Sequence, residues 1–303
     1  MKADPSIYIF GEGAHMKVHF DAPYIEKEFP DRVVTLPISE DGNTNFGVGT
    51  SLAGVKPIID VISSDFLFRT MDSICNTAVK LNFMSEQIGK PKTIVIKSEF
   101  LFGGPTSGQR LESQFARIPG LNVAVPSNPR DAQGLMNSAL RRNGVTLLFE
   151  DRMISDKDTK ESDMIKDVAE DIPFGKAMLR RKGNSLTVVS YAITLKEVES
   201  EIEANGFDCD LLDLRSLYPL DYHAISESVS ATGKLLIVEP DVVFEGVGAE
   251  IGAYIAECCP SSLKKPIKRL GAPRSVIPVS LDMHKYMLPS RTEISDTMRK
   301  MMS

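Results

Sequence analysis

Short runs of β-branched and aliphatic residues alternate with longer stretches in which apolar positions recur every three or four residues, along nearly the whole chain. Apolar runs of three to five residues bounded by Gly, Pro or charge suit strands buried on both faces of a parallel sheet. The longer stretches suit the helices that cross over between such strands. The pattern predicts the α/β class, with parallel sheets rather than a sandwich or a bundle. In the first half, strands are expected at Ile7–Phe10, Val33–Thr35, Pro57–Val61, Thr93–Ile96, Val123–Val125 and Thr146–Phe149. From Asp65 to Met84, the residues Phe66, Met71, Ile74, Cys75, Ala78 and Leu81 fall on one face of a helix. Asn128 and Pro129 are placed to cap and open another, which ends near Arg142.

From Asp151 to about Lys182 the periodicity is lost and charge rises, with Asp156, Lys157, Asp158, Lys160 and Glu161 at the centre, as in a linker. The expected division is therefore a domain over 1–150, a linker over 151–182 and a second domain over 183–303. In the second, strands are expected at Ser185–Tyr191, Asp208–Leu214, Lys234–Glu239 and Ile267–Leu270. Helices are expected at Thr194–Asn205, closed by Gly206, near Tyr222–Val229, and near Gly248–Cys258.

Composition removes several functions. With 42% hydrophobic and 25% charged residues the chain is ordinary globular material, so disorder is excluded as its main state. No apolar stretch approaches the ~18 residues that cross a bilayer, and the run Ile7–Phe10 is too brief for a signal peptide; a soluble cytoplasmic protein is expected. A net charge of -6 without a long basic stretch makes nucleic acid a poor partner. Cys75, Cys209, Cys258 and Cys259 form no C-x-x-C pair, so reduced thiols are expected rather than a zinc site.

Taken alone, the polar residues offer little specific chemistry. Glu40 follows the turn Leu36–Ser39 and could project a carboxylate where open α/β sheets bind ligands. It could equally be a first-turn acid stabilising a helix start. His15 and His19 are four apart, but their neighbours alternate as a half-exposed strand does, which argues against a helical metal pair. The stretch Phe102–Gln109 is rich in turn residues, and its glycines allow close backbone approach to a ligand or simply a surface turn. It lacks the ending of a P-loop, Gly11-Glu12-Gly13 has no third glycine, and no G-x-S-x-G elbow occurs.

The segments Asp31-Arg32-Val33, Pro37-Ile38-Ser39-Glu40, Ala53–Pro57 and Asp65-Phe66 stand in an order and spacing that resembles a known family. So do Asp72 with Ile74, Asn76, Ala78 and Lys80, then Pro119–Val123 with Pro126-Ser127, Asp213–Asp221, and Glu239 with Gly246–Glu250. Together they resemble the beta subunit of the thiamine-diphosphate-dependent, pyruvate dehydrogenase-type component of 2-oxo acid dehydrogenase complexes. The resemblance covers nearly the whole chain. It implies two three-layer α/β/α domains, a pyrimidine-binding domain followed by a transketolase carboxy-terminal-type domain.

The resemblance also implies thiamine diphosphate as cofactor, with Glu40 sharing a proton with its aminopyrimidine ring, Phe66 packing on that ring and Ile38 lining the same pocket. The diphosphate and Mg2+ need a dedicated cradle, because so much charge is costly to bury unpaired. The family's Gly-Asp-Gly segment is absent here, Asp41-Gly42-Asn43 coming nearest. An alpha-type partner is therefore expected to carry that half, most simply in an alpha2beta2 heterotetramer, and no metal ligands are assigned to this chain. Counting back from Pro119 places Ser107 where the family has a histidine associated with acyl transfer to a lipoyl arm. Serine does not titrate near neutrality. That departure leaves open a 2-oxo acid dehydrogenase with a lipoyl acyltransferase partner, a non-oxidative carboligase or split transketolase acting on a ketose, and a non-catalytic partner subunit. Ser107, Gln109 and Arg110 are the candidate substrate contacts, although Arg110 could also be a solvated surface arginine.

Overall fold

The computed structural model describes residues 1–12, 22–101, 104–152, 154 and 170–303. His15 and His19, read as part of a half-exposed strand rather than a metal pair, lie outside the described residues, as does half of the expected linker. The first half contains β1 (Ile7–Gly11), α1 (Ala22–Glu28), β2 (Val33–Thr35), α2 (Glu40–Leu52), β3 (Lys56–Ser63), α3 (Val79–Gln87), β4 (Thr93–Phe100), α4 (Glu112–Ala116), β5 (Leu121–Ala124), α5 (Pro129–Arg141) and β6 (Gly144–Asp151). The second contains β7 (Met178–Arg181), β8 (Thr187–Ser190), α6 (Ala192–Asn205), β9 (Asp210–Asp213), β10 (Ser216–Tyr218), α7 (Tyr222–Thr232), β11 (Leu235–Val242), α8 (Val247–Cys258), β12 (Lys268–Ala272), α9 (Leu281–His284) and α10 (Arg291–Met302). Among these residues no helix is long and apolar enough to cross a membrane.

Two sheets result, in the orders β10-β5-β6-β4-β3-β1-β2 and β12-β11-β8-β9-β7. All pairs are parallel except β10 on β5 and β7 on β9. Helix signals behave as physical chemistry requires: the Asn128 side chain accepts from the Asp131 N–H at 2.8 Å to cap α5, and Gly206 closes α6 in left-handed geometry.

Three findings differ from the sequence reading. The stretch Asp65–Met84 is not one α-helix. A 3-10 segment over Ser64–Thr70 and a π segment over Ser73–Ala78 precede α3. Ile74 and Ala78 still reach the core and Phe66, Met71 and Leu81 pack against it, because periodicity reports which face is apolar rather than which carbonyl each N–H finds. The edge strand β7 lies inside the stretch read as linker. β10 also escaped notice, and it crosses from the second half to complete the first sheet, pairing Ser216 with Ala124 and Tyr218 with Val123. Through Leu217 and its neighbours the largest apolar cluster runs continuously from Ile59 and Leu147 in the first sheet to Val189 and Ile237 in the second.

Candidate active site at the carboxyl ends of the first sheet

Parallel strands present their carboxyl ends on one edge, and the loops leaving β1, β2 and β3 converge there. Glu40 is the first residue of α2, so its carboxylate sits at the positive end of that helix as well as at the sheet edge. The two sequence readings of Glu40 thus describe one position. Its side chain is only a tenth exposed, and its carboxylate meets Arg69 Nε at 3.4 Å. Arg69 is 73% exposed, so that ion pair is solvent-screened and worth ~1 kcal/mol or less.

Glu12, immediately after β1, organises the turn that holds Glu40. Its Oε1 accepts from the Ser39 N–H at 2.8 Å and from Asn43 Nδ2 at 3.4 Å. Asn43 Nδ2 also donates to the Pro37 carbonyl at 2.9 Å, and Thr44 Oγ1 to the Glu40 carbonyl at 2.7 Å. Burial pushes the Glu12 carboxyl above its usual range, and the charges of Glu40 and Asp60 add to the shift against the Ser39 hydrogen bond. Sequence reading passed over Glu12 because Gly11-Glu12-Gly13 is an incomplete glycine motif. The available signal was simpler: an acid placed directly at the carboxyl end of a buried strand.

Ile38 is 84% exposed beside Glu40, an apolar side chain on open surface next to a buried acid. Phe66 is half-buried and packs its ring partly on the main core. The loop carrying Ser107 is bound to the same corner: Gln109 N–H donates to Asp65 Oδ2 at 3.1 Å, and Ser64 Oγ donates to the Gln109 carbonyl at 2.9 Å. Gly108 lies at φ +97°, and a Cβ there would fall 1.9 Å from the Leu101 carbonyl oxygen, so only glycine fits. Glu40, Ile38, Phe66, Ser107 and Gln109 thus stand on segments that close on one edge. Arg110 turns the other way. Its guanidinium lies 3.8 Å over the Phe100 ring, pairs with Asp151 and approaches Glu112 at 3.9 Å, committed inside the protein rather than displayed at the mouth or on a solvated surface.

A shielded carboxyl at Glu40 with the apolar Ile38 beside it suits the ring portion of a thiamine cofactor, and the segment that carries Phe66 meets the same edge. The model of the transketolase pyrimidine-binding domain matches residues 1–156, and that of the transketolase C-terminal domain matches residues 175–294. The chain is 29% identical to the pyruvate dehydrogenase E1 component subunit beta of Rickettsia bellii, with 99% of this chain and 94% of the relative covered. It is 30% identical to the 2-oxoisovalerate dehydrogenase subunit beta of Bacillus subtilis, covering 99% and 94%. With the mitochondrial pyruvate dehydrogenase E1 component subunit beta-1 of Arabidopsis thaliana the identity is 32%, covering 97% and 83%. A solved split gene transketolase, an inactive beta4 tetramer, superposes with a TM-score of 0.79 over 99% of this chain and 93% of that one at 18% identity, a likeness of fold.

Proposed function

Because this chain belongs to the transketolase-like family of 2-oxo acid dehydrogenase beta subunits, we propose that it is the beta-type subunit of a thiamine-diphosphate-dependent enzyme that cleaves a carbon–carbon bond next to a carbonyl. The observation that carries this reading is Glu40, a shielded carboxyl heading α2 at the edge where β1 and β2 end. Thiamine diphosphate, when bound, supplies an electron sink at its thiazolium carbon. Everything else asked of this chain concerns positioning and one proton. Glu40 holds that proton against a pyrimidine nitrogen, Glu12 fixes the turn from which Glu40 projects, and Ile38 and Phe66 shield the ring from water. The diphosphate and its Mg2+ are assigned to an alpha-type partner, in an alpha2beta2 assembly.

Ser107 favours a second reading. A hydroxyl can donate to or accept from a substrate oxygen but cannot exchange protons near pH 7 as an imidazole does, so transfer to a carrier arm loses its acid–base group. A non-oxidative carboligase, or a split transketolase passing a fragment to an aldehyde, needs no such arm. Product analysis of the assembled pair separates the two: reduction of a lipoyl disulfide supports the dehydrogenase, and an acyloin or ketose formed without a carrier supports the ligase.

Glu40→Gln and Glu40→Ala are expected to abolish turnover while the alpha–beta assembly still elutes intact. Near-normal turnover in either variant would remove Glu40 from the mechanism.

A further inference from the structure

The loop that carries Ser107 is gripped from the second domain as well as from the first. Gly104 and Gly108 flank Ser107 at φ +89° and +97°, and both lie against one short segment that follows β12. A Cβ on Gly104 would sit 3.5 Å from Val279 Cα, and one on Gly108 would sit 3.5 Å from Ile277 Cδ1. Both are ordinary packing distances, so residues 277–279 rest on the turn at either side of Ser107. Gly104 is accordingly buried although it stands in a loop. The downstream end of the loop is held by the same domain, where Ser113 Oγ in α4 donates to Asp241 Oδ2 of β11 at 2.6 Å. β11 pairs with β12, the strand from which the covering segment departs.

That segment is itself fastened at both ends. At its start the Arg274 guanidinium lies 5.1 Å over the Phe244 ring, and the Ser275 N–H donates to the Pro273 carbonyl at 2.8 Å. At its end α9 brings back His284, whose Nε2 lies 2.9 Å from the Pro278 carbonyl oxygen. A carbonyl oxygen only accepts, so Nε2 carries a hydrogen and donates it. The neutral Nε2–H tautomer and the imidazolium can both do so, and the bond therefore outlasts titration of the ring. Pro278 has a fixed φ, so the backbone that His284 holds is stiff where it meets Gly104. Val276 and Val279 leave their side chains 72% and 78% exposed and add little burial. Ile277, the backbone of residues 278–279 and the His284 hydrogen bond hold the segment in place.

We propose that residues 274–279 form a strap from the second domain that positions the Ser107 turn for substrate, and that His284 is the positioning residue that fastens it. The inference rests on the reading of Ser107 as a substrate contact. A hydroxyl that must meet a substrate oxygen at hydrogen-bond distance works only from a turn held in place, since a shift of about 1 Å forfeits much of the bond. The first domain holds this turn from one side, through Asp65 and Ser64 on Gln109. The strap supplies the other side, so the substrate end of the site is completed by residues that lie far later in the chain. Ile277 packs on Gly108, and His284 keeps the strap's backbone down on Gly104.

The test has two arms. Hydrogen exchange of the full chain, followed amide by amide, reads the strap without cofactor or partner. The Ser107 N–H donates to the Gly104 carbonyl at 3.2 Å and the Gln109 N–H to Asp65 Oδ2 at 3.1 Å, so both amides report on the turn. His284→Ala and Ile277→Ala are each expected to speed exchange at these two amides by about fivefold, while amides of β8 and β11 keep their wild-type rates. His284→Gln can still donate to the Pro278 carbonyl and is expected to exchange as wild type does. The second arm uses the assembled alpha–beta pair with pyruvate, 2-oxoisovalerate and a ketose phosphate as probes, taking the one that wild type consumes. There His284→Ala is expected to raise KM about fivefold with kcat changed by less than about twofold, and His284→Gln to restore KM. Unchanged exchange in either alanine variant overturns the strap, and so does an unchanged KM in a pair whose wild type turns over. Equal acceleration in His284→Ala and His284→Gln overturns the fastening by His284. A wild-type pair that consumes none of the probes removes the proposed function instead, and exchange then decides the strap. If His284→Ala does not fold, Ile277→Ala decides.

Discussion

Lys97 shows how a single position in a strand is settled by its neighbours. Its side chain is only 15% exposed, and its ammonium lies 2.9 Å from Glu99 and 3.2 Å from Glu150. Burial, the largest single influence, pulls its pKa down, but Glu150, Asp60 and Glu99 together outweigh it and hold the pKa well above the ordinary lysine value. Lys97→Met would leave those acids without their cation, at a cost of about 3–5 kcal/mol. Urea unfolding at neutral pH is expected to show that loss. Residue identity announced some of this chemistry and hid the rest. Glu40 was singled out through the resemblance that Pro37-Ile38-Ser39-Glu40 carries, whereas Glu112 sits in a short polar-looking helix whose inward face is set only by Leu111 and Phe115. Arg110 was legible as a guanidinium, but its direction was not. Phe100 and Asp151, which claim it, lie ten and forty-one positions away in sequence.

At the scale of elements, α2 matters most because Glu40 heads it. The helix carries Gly42, Gly47 and Gly49 and has little apolar patterning, so its packing depends on close approach rather than on a stripe of large side chains. A Cβ on Gly47 would fall 2.4 Å from Ile59 Cγ1 in β3, far inside contact distance. Gly47→Ala is therefore expected to push α2 outward, lower stability by about 1–3 kcal/mol and weaken turnover through Glu40. Thermal melting and kinetics of the assembled enzyme check both effects. The central strands β3, β4 and β6 were readable from their apolar runs, since both of their faces are covered. The edge strands β7 and β10 are four and three residues long and antiparallel, and such edges carry no apolar run to announce them.

For the whole molecule, the two halves are joined by more than the chain between them. Arg180 of β7 binds Asp213 of β9 at 2.7 Å and also pairs with Asp131 of α5 in the first half. Ser127 Oγ donates to Asp213 at 2.8 Å and accepts from the Ala192 N–H at 2.9 Å. With β10 zipped onto β5, these contacts make the domains a mechanical unit. Arg180→Ala leaves Asp213 buried without its cation, a loss of about 3–5 kcal/mol, and is expected to divide one calorimetric unfolding transition into two. A single unshifted transition would show that β10 and the shared apolar cluster suffice.

The order of hydrophobic runs determined the α/β class and the crossover helices, because burial, helix period and strand period are local properties that a chain carries in its residues. Tertiary structure alone decided that β10 belongs to the other half's sheet, that Arg110 faces inward and that Ser113 meets Asp241 from the other half. Each depends on which distant surfaces come together. A charged side chain finds its state from the groups around it, and no stretch of sequence contains those groups in order.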